Sequence, residues 1–255
     1  MSIAPPDITY LDPGNGRRIA TRHRPPTVQG AATVLFLPGY ASDMDGQKAV
    51  AIDAFCASRG LGCLRIDYSG TGSSPGEFAQ GTLDRWLDDA LAAIDLGAPE
   101  GRILVAGSSM GGWIGLHVAI RRANRVAGLL GIAAAPDFTD WGYSLEDREV
   151  LRRDGRLERP SLYSPEPSIT HLPFWQSGDA MRLLHSPVEV TTPVRLIVGD
   201  RDEAVPIGVS LKLLEQLRSA DVHLKFVKYA GHRLSEPHEI HAILVELHGL
   251  VELAR

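Results

Sequence analysis

A serine set between glycines as G-x-S-x-G can be held on a tight strand-to-helix turn, its hydroxyl clear of the backbone and able to attack a carbonyl carbon. The 255-residue chain contains this pattern twice, at Gly107-Ser108-Ser109-Met110-Gly111 and at Gly72-Ser73-Ser74-Pro75-Gly76. Met110 follows Ser109 and offers a backbone N–H to a developing oxyanion, whereas Pro75 has no N–H to offer. Gly107 directly follows the apolar run 103–106, and Gly111-Gly112 opens a small-residue helical stretch, so the glycines fall where a sharp turn and close helix packing need them. Ser74 lies in a loop rich in Gly, Ser and Pro. Ser109 is the expected nucleophile and Ser74 a loop residue.

A serine hydroxyl needs a base within hydrogen-bond reach and a third group to orient that base. Of nine histidines, His232 follows the last strand-like run and precedes the closing helix, on the same edge as Ser109. His117 falls on the helix after the serine, His238, His241 and His248 on the final helix, and His23 and His223 within strands; these are read as packing or solvated side chains. His171 and His185 belong to a long irregular stretch that is a poor platform for a base. The segment 198–203 offers Asp200, Asp202 and Glu203 after a strand, and position does not distinguish them. A second oxyanion donor is expected from the Tyr40 N–H, on the turn Pro38-Gly39-Tyr40, beside that of Met110. His238 and His241 have a spacing that could face one ion, but nothing nearby completes a ligand set, so neither a metal nor a cofactor is expected.

The elements that must position these groups alternate between strand-like and helix-like patterns, which predicts an α/β fold with a mostly parallel central sheet flanked by helices. Runs 8–11 and 18–23, around the turn 13–16, predict an antiparallel hairpin. Strands are expected at 33–37, 64–67, 103–106, 126–132, 194–198 and 223–229. The run 33–37 is continuously apolar, as in a strand covered on both faces. Helices are expected at 45–59, 83–94, 110–122 and 207–218, with a closing helix whose first turn holds Pro237. Between 137 and 192 no strand is evident, and the stretch is expected to form a helical lid inserted over the carboxyl ends of the strands, within a single domain covering 1–255. Trp113, Phe138, Trp141, Phe174 and Trp175 either line an apolar acyl site or pack this lid onto the core.

Composition narrows the classes. With 44% hydrophobic residues, a net charge of −5 and interleaved acids and bases, the chain has no basic stripe for nucleic acid and no polybasic membrane anchor. Its longest apolar run, 126–135, is too short to span a bilayer, and its opening residues lack the basic and apolar regions of a secretory signal. Cys56 and Cys63 are expected as free, packed thiols. A soluble, cytoplasmic protein is expected.

Four separated blocks, LPGYASDMDG at 37–46, DYSGTGSS at 67–74, GSSMGGW at 107–113 and LHSP at 184–187, resemble the abhydrolase-domain-containing protein 10 family of α/β-hydrolases. The resemblance extends over nearly the whole chain. It implies the α/β-hydrolase fold, the chain order serine, acid, histidine, and a triad falling on Ser109, Asp202 and His232. It also implies an esterase or thioesterase chemistry on a small-molecule ester or acyl-thioester substrate, or on an acylated protein, since animal members are palmitoyl-protein thioesterases that also cleave acyl glucuronides. No transit peptide like theirs is expected from the opening residues, and a bacterial-type relative is expected. A serine at the elbow argues against carboxylate-nucleophile dehalogenases and epoxide hydrolases. A peptidase or amidase of the same fold, and a non-catalytic small-molecule receptor, are the competing readings.

Overall fold

A computed structural model describes residues 4–14, 16–161 and 165–254. Asn15 of the expected hairpin turn, and residues 162–164 of the expected lid, lie outside the described residues. Strands β1 (Ile8–Leu11) and β2 (Ile19–Arg24) do pair antiparallel, with Ile8 opposite Arg22. There follow β3 (Thr33–Leu37), α1 (Gln47–Ser58), β4 (Gly62–Ile66), α2 (Leu83–Ala92), β5 (Ile103–Ser108), α3 (Met110–Arg121) and β6 (Val126–Ile132). After the 137–192 stretch come β9 (Val194–Gly199), α7 (Ile207–Gln216), β10 (Val222–Val227) and α8 (Pro237–Leu253). The eight strands outside that stretch form one sheet, in the order β1-β2-β4-β3-β5-β6-β9-β10, parallel from β4 onward.

Strand side chains alternate between two cores, as the two-residue period requires. Leu35 and Leu37 of β3, with Ile103 and Val105 of β5, join Trp86 of α2, Ile114 of α3 and Leu213 of α7 on one face. Val34, Phe36, Leu104 and Ala106 join Ile52 and Phe55 of α1, and Leu247 and Leu250 of α8, on the other. Burial on both faces explains why β3 and β5 read as unbroken apolar runs.

Within 137–192 the structure corrects the expectation of an all-helical insertion. Three helices, α4 (Phe138–Trp141), α5 (Leu145–Asp154) and α6 (Leu172–Ala180), are accompanied by a two-stranded antiparallel sheet of β7 (Arg156–Arg159) and β8 (Ser168–His171). These strands are four residues each and carry Arg, Glu, Ser and His, so they have no apolar run to betray them. Helix α5 has both ends marked by its residues: Ser144 and Asp147 form a reciprocal capping box, and Gly155, at φ +75°, ends it. Asp137, itself at φ +58°, accepts the N–H groups of Leu183 (2.8 Å) and Leu184 (2.7 Å), fastening the two ends of the insertion together.

Candidate active site

Four strands end on one edge of the sheet, and the turn after each carries one of the expected groups. β5 passes without interruption into Ser109, whose backbone adopts φ +54°, ψ −118°, before α3 begins at Met110. A Cβ on Gly107 would lie 2.2 Å from the Gly111 carbonyl oxygen, and one on Gly111 would lie 2.1 Å from that of Leu37. The glycines therefore allow α3 to press against the ends of β5 and β3, a contact no side chain would permit.

β9 ends at Gly199, where an added Cβ would meet the Ala230 carbonyl at 2.2 Å. That approach, with the Arg201 N–H donated to the Ala230 oxygen at 2.9 Å, brings the 200–202 turn against the loop after β10. His232 then bridges two groups far apart in sequence. Its Nδ1 lies 2.8 Å from Asp202 Oδ2, and its Nε2 lies 3.1 Å from Ser109 Oγ. The other Asp202 oxygen accepts the N–H groups of Ala204 and Val205, and the carboxylate is 2% exposed. Of the three carboxyl groups that sequence position left undistinguished, Asp202 is the one that meets the histidine. Asp200 turns to the Lys228 ammonium, which with the Tyr229 N–H holds its carboxyl below the usual carboxylate range, and Glu203 is exposed.

After β3, Gly39 packs with its Cβ position 3.4 Å from Ser109 Cβ, so the Tyr40 backbone runs beside the serine. Met110, as the first residue of α3, has an N–H with no partner in the helix. The turn bearing Tyr40 and the start of α3 thus both adjoin Ser109. These groups open onto a cleft of about 870 Å³ with a mixed lining: Ser42, Asp43, Gln47, Lys48, Ser161, Glu166, Ser168, Arg233 and Ser235, with Phe36, Pro38, Ala41, Ala49 and Pro167, border it together with Gly39, Tyr40, Ser109 and His232.

The five aromatic side chains entertained as an acyl site do not line that cleft. Trp113 and Phe174 are fully buried and Trp175 nearly so, while Phe138 and Trp141 are partly buried, with the Trp141 and Trp175 indole N–H groups donated to the carbonyls of Pro136 and Thr139. Phe138 meets Trp113 edge to face and Phe174 at a tilt, so these rings join the insertion to the core. Lys48 was missed in the sequence. It donates to the carbonyl of Arg233, next to His232, and burial lowers its pKa to about 8. Its signal was its place in the first turn after the β3 loop, on the edge where the other groups gather.

The histidines set aside earlier sit elsewhere. His117 contacts the Met181 carbonyl at 3.0 Å, with burial lowering its pKa to about 4, and His238, His241 and His248 are exposed on α8. Among the described residues no three His, Cys, Asp or Glu side chains gather as a metal would require, and no helix is long and apolar enough to cross a membrane. Cys56 and Cys63 are both buried and unbridged.

Residues 29–152 match the model of a hydrolase family described as serine aminopeptidase S33. Over 224 residues, 86% of this chain and 75% of the relative, the sequence is 39% identical to the mouse (Mus musculus) protein named palmitoyl-protein thioesterase ABHD10, mitochondrial. The chain belongs to the ABHD10 family of α/β-hydrolases. The solved structure of mouse α/β hydrolase domain-containing protein 10 superimposes with a TM-score of 0.89 at 35% identity, covering 96% of this chain and 98% of the mouse one. A putative hydrolase from Agrobacterium vitis gives the same TM-score and coverage at 37% identity. ABHD10-family membership makes the chain a hydrolytic enzyme, and the serine, carboxylate and histidine follow one another in the order expected of this fold.

Proposed function

We propose that the protein hydrolyses carboxylic esters or acyl thioesters through Ser109, His232 and Asp202 by two-step acyl transfer. His232 Nε2 takes the Ser109 proton as the oxygen attacks the acyl carbon, and Asp202 orients the ring and balances the imidazolium charge. The imidazolium then gives its proton to the leaving alcohol or thiol, and water, activated by the same histidine, releases the acid and restores the serine. The N–H groups of Tyr40 and Met110 receive the oxyanion. The observation that carries this reading is His232 spanning Ser109 at 3.1 Å and Asp202 at 2.8 Å. Thioester cleavage is favoured by the name of the mouse relative, a palmitoyl-protein thioesterase.

In this reading the chain acts as one domain and the 137–192 insertion serves as a lid, supported by Ser161, Glu166 and Ser168 at the cleft wall. A cytoplasmic location belongs to the same proposal, supported by the unbridged Cys56 and Cys63, and cell fractionation checks it against the mitochondrial label of the relatives. The matching model's aminopeptidase description makes amide cleavage the competing reading. The experiment is fluorophosphonate labelling of wild type, Ser109→Ala and Ser74→Ala, with turnover of p-nitrophenyl esters, acyl thioesters and aminoacyl amides. Labelling and ester or thioester turnover lost in Ser109→Ala alone supports the proposal. Faster amide turnover favours the peptidase, and binding without labelling or turnover favours a receptor.

A further inference from the structure

The turn that carries the Tyr40 N–H is not held by the sheet alone. Ala41, the next residue, adopts φ +53°, a left-handed conformation sparsely populated by side-chain-bearing residues, which persists only where the surroundings over-determine it. Behind the turn, the Met44 N–H is donated to Asp67 at 2.7 Å. In front, the Tyr40 side chain packs against the insertion. Its ring centre lies 4.6 Å from that of Phe174 and 6.2 Å from that of Phe138, and also 5.2 Å from Phe78 and 5.9 Å from Trp86 on the core side. Its hydroxyl donates to the Ile169 carbonyl at 2.9 Å, on β8. One side chain thus joins the insertion to the residue whose backbone borders the serine.

We propose that the Tyr40 side chain is a positioning group, whose ring packing and hydroxyl bond to Ile169 let the 137–192 insertion fix where the Tyr40 N–H points. The inference rests on the proposed acyl-transfer reading. An oxyanion donor acts on charge that develops only in the transition state, so its misplacement lowers kcat and leaves ground-state binding nearly unchanged. Burial raises the phenol pKa far above its ordinary value, so the hydroxyl is a donor throughout the working pH range. A shift of the insertion is then passed to the oxyanion position through the Tyr40 side chain.

The test compares wild type, Tyr40→Phe and Phe174→Leu. The first variant keeps the ring and removes the hydroxyl bond, and the second loosens the nearest ring and keeps the bond. Removing an oxyanion donor outright costs about a hundredfold or more, so a donor left in place but loosened is expected to lower kcat on p-nitrophenyl acetate about tenfold in Tyr40→Phe. KM should stay within about twofold, and affinity for a trifluoromethyl ketone, which forms a tetrahedral serine adduct, should fall in step with kcat. Phe174→Leu should show the same split more weakly, and it becomes the deciding variant if Tyr40→Phe does not fold. A lower melting temperature with kcat and ketone affinity unchanged would reduce Tyr40 to a packing residue and overturn the proposal, as would a raised KM at constant kcat. Fluorophosphonate labelling separates the two readings. A wild type that does not label sinks the acyl-transfer reading along with this one, whereas a labelled wild type with an indifferent Tyr40→Phe sinks this one alone.

Discussion

Ser109 and Ser74 each stand third in a G-x-S-x-G pentapeptide, and each follows a parallel strand on the same edge of the sheet, β5 in one case and β4 in the other. Their hydroxyls meet different partners. Ser74 is 5% exposed, and its Oγ accepts the Ala20 N–H and donates to the Asp67 carbonyl, both at 2.7 Å. Ser109 Oγ meets His232 Nε2 and faces the cleft. The glycines differ in the same way. Gly107 and Gly111 give way to backbone, letting α3 close on β3, while Gly72, at φ +48°, gives way to a side chain, since its Cβ would fall 2.2 Å from Asp67 Oδ2. One pentapeptide presents a hydroxyl and the other wraps a carboxylate. The pattern encodes only a tight turn; what the oxygen is bonded to decides whether it can react.

The largest expected contrast is in turnover. Ser109→Ala should lower kcat on an ester substrate by about 10⁴-fold or more, the scale on which a nucleophile working as part of a unit is lost, with little change in melting temperature. A Ser109→Ala enzyme that kept its turnover while Ser74→Ala lost it would reverse the assignment of the two sites.

Next in size is the carboxylate that the second pentapeptide encloses. Asp67 accepts the N–H groups of Met44 at 2.7 Å and Ser73 at 2.8 Å, one on the turn bordering Ser109 and one beside Ser74. Asp67→Ala would strand both donors and is expected to destabilise the fold by about 2–4 kcal/mol. Because Met44 belongs to the turn that carries Tyr40, turnover should fall as well; denaturant unfolding together with kcat checks both. A loss of stability with full activity would show that the two regions do not communicate. Ser74→Ala removes the acceptor of one buried N–H and should cost about 1–3 kcal/mol in the same unfolding experiment, with labelling of Ser109 intact.

Much of this was legible before any coordinates. Strands 33–37 and 126–132 are where the unbroken apolar runs place them, and the sheet's carboxyl edge could be drawn from the alternation alone. Ser109 was distinguishable from Ser74 because Pro75 lacks an N–H and because a strand leads directly into Gly107. The carboxyl partner of His232 was legible only through the family resemblance, which pointed to Asp202; by position alone Asp200, Asp202 and Glu203 differ only in how the 199–202 turn meets Ala230, a contact between segments about thirty residues apart. The aromatic residues stayed ambiguous for a related reason: apolar rings signal burial, but not whether a substrate or the protein's own core covers them. β7 and β8 were invisible because four-residue polar strands carry too little periodicity to register.

The smallest contrast is electrostatic and of opposite sign in the two regions. Burial works against the charged form of both Asp67 and Lys48, raising the pKa of the first and lowering that of the second to about 8. A carboxyl whose folded pKa lies above its unfolded value contributes stability that is lost as pH rises through the folded pKa. A lysine whose folded pKa is about 8, against 10.5 when free, binds fewer protons folded than unfolded between those values, so its contribution to stability grows as pH rises through that interval. The groups facing Lys48 are Arg233, whose charge lowers its pKa further, and Glu239, which opposes the shift. Lys48→Met removes the titration and keeps a similar stem. The melting temperature of wild type minus that of Lys48→Met should therefore increase from about pH 8 to 10.5 and stay flat from about pH 6 to 7. A difference flat across the whole range would mean that the Lys48 ammonium is as well solvated in the cleft wall as in the unfolded chain, and the contrast with Asp67 would vanish.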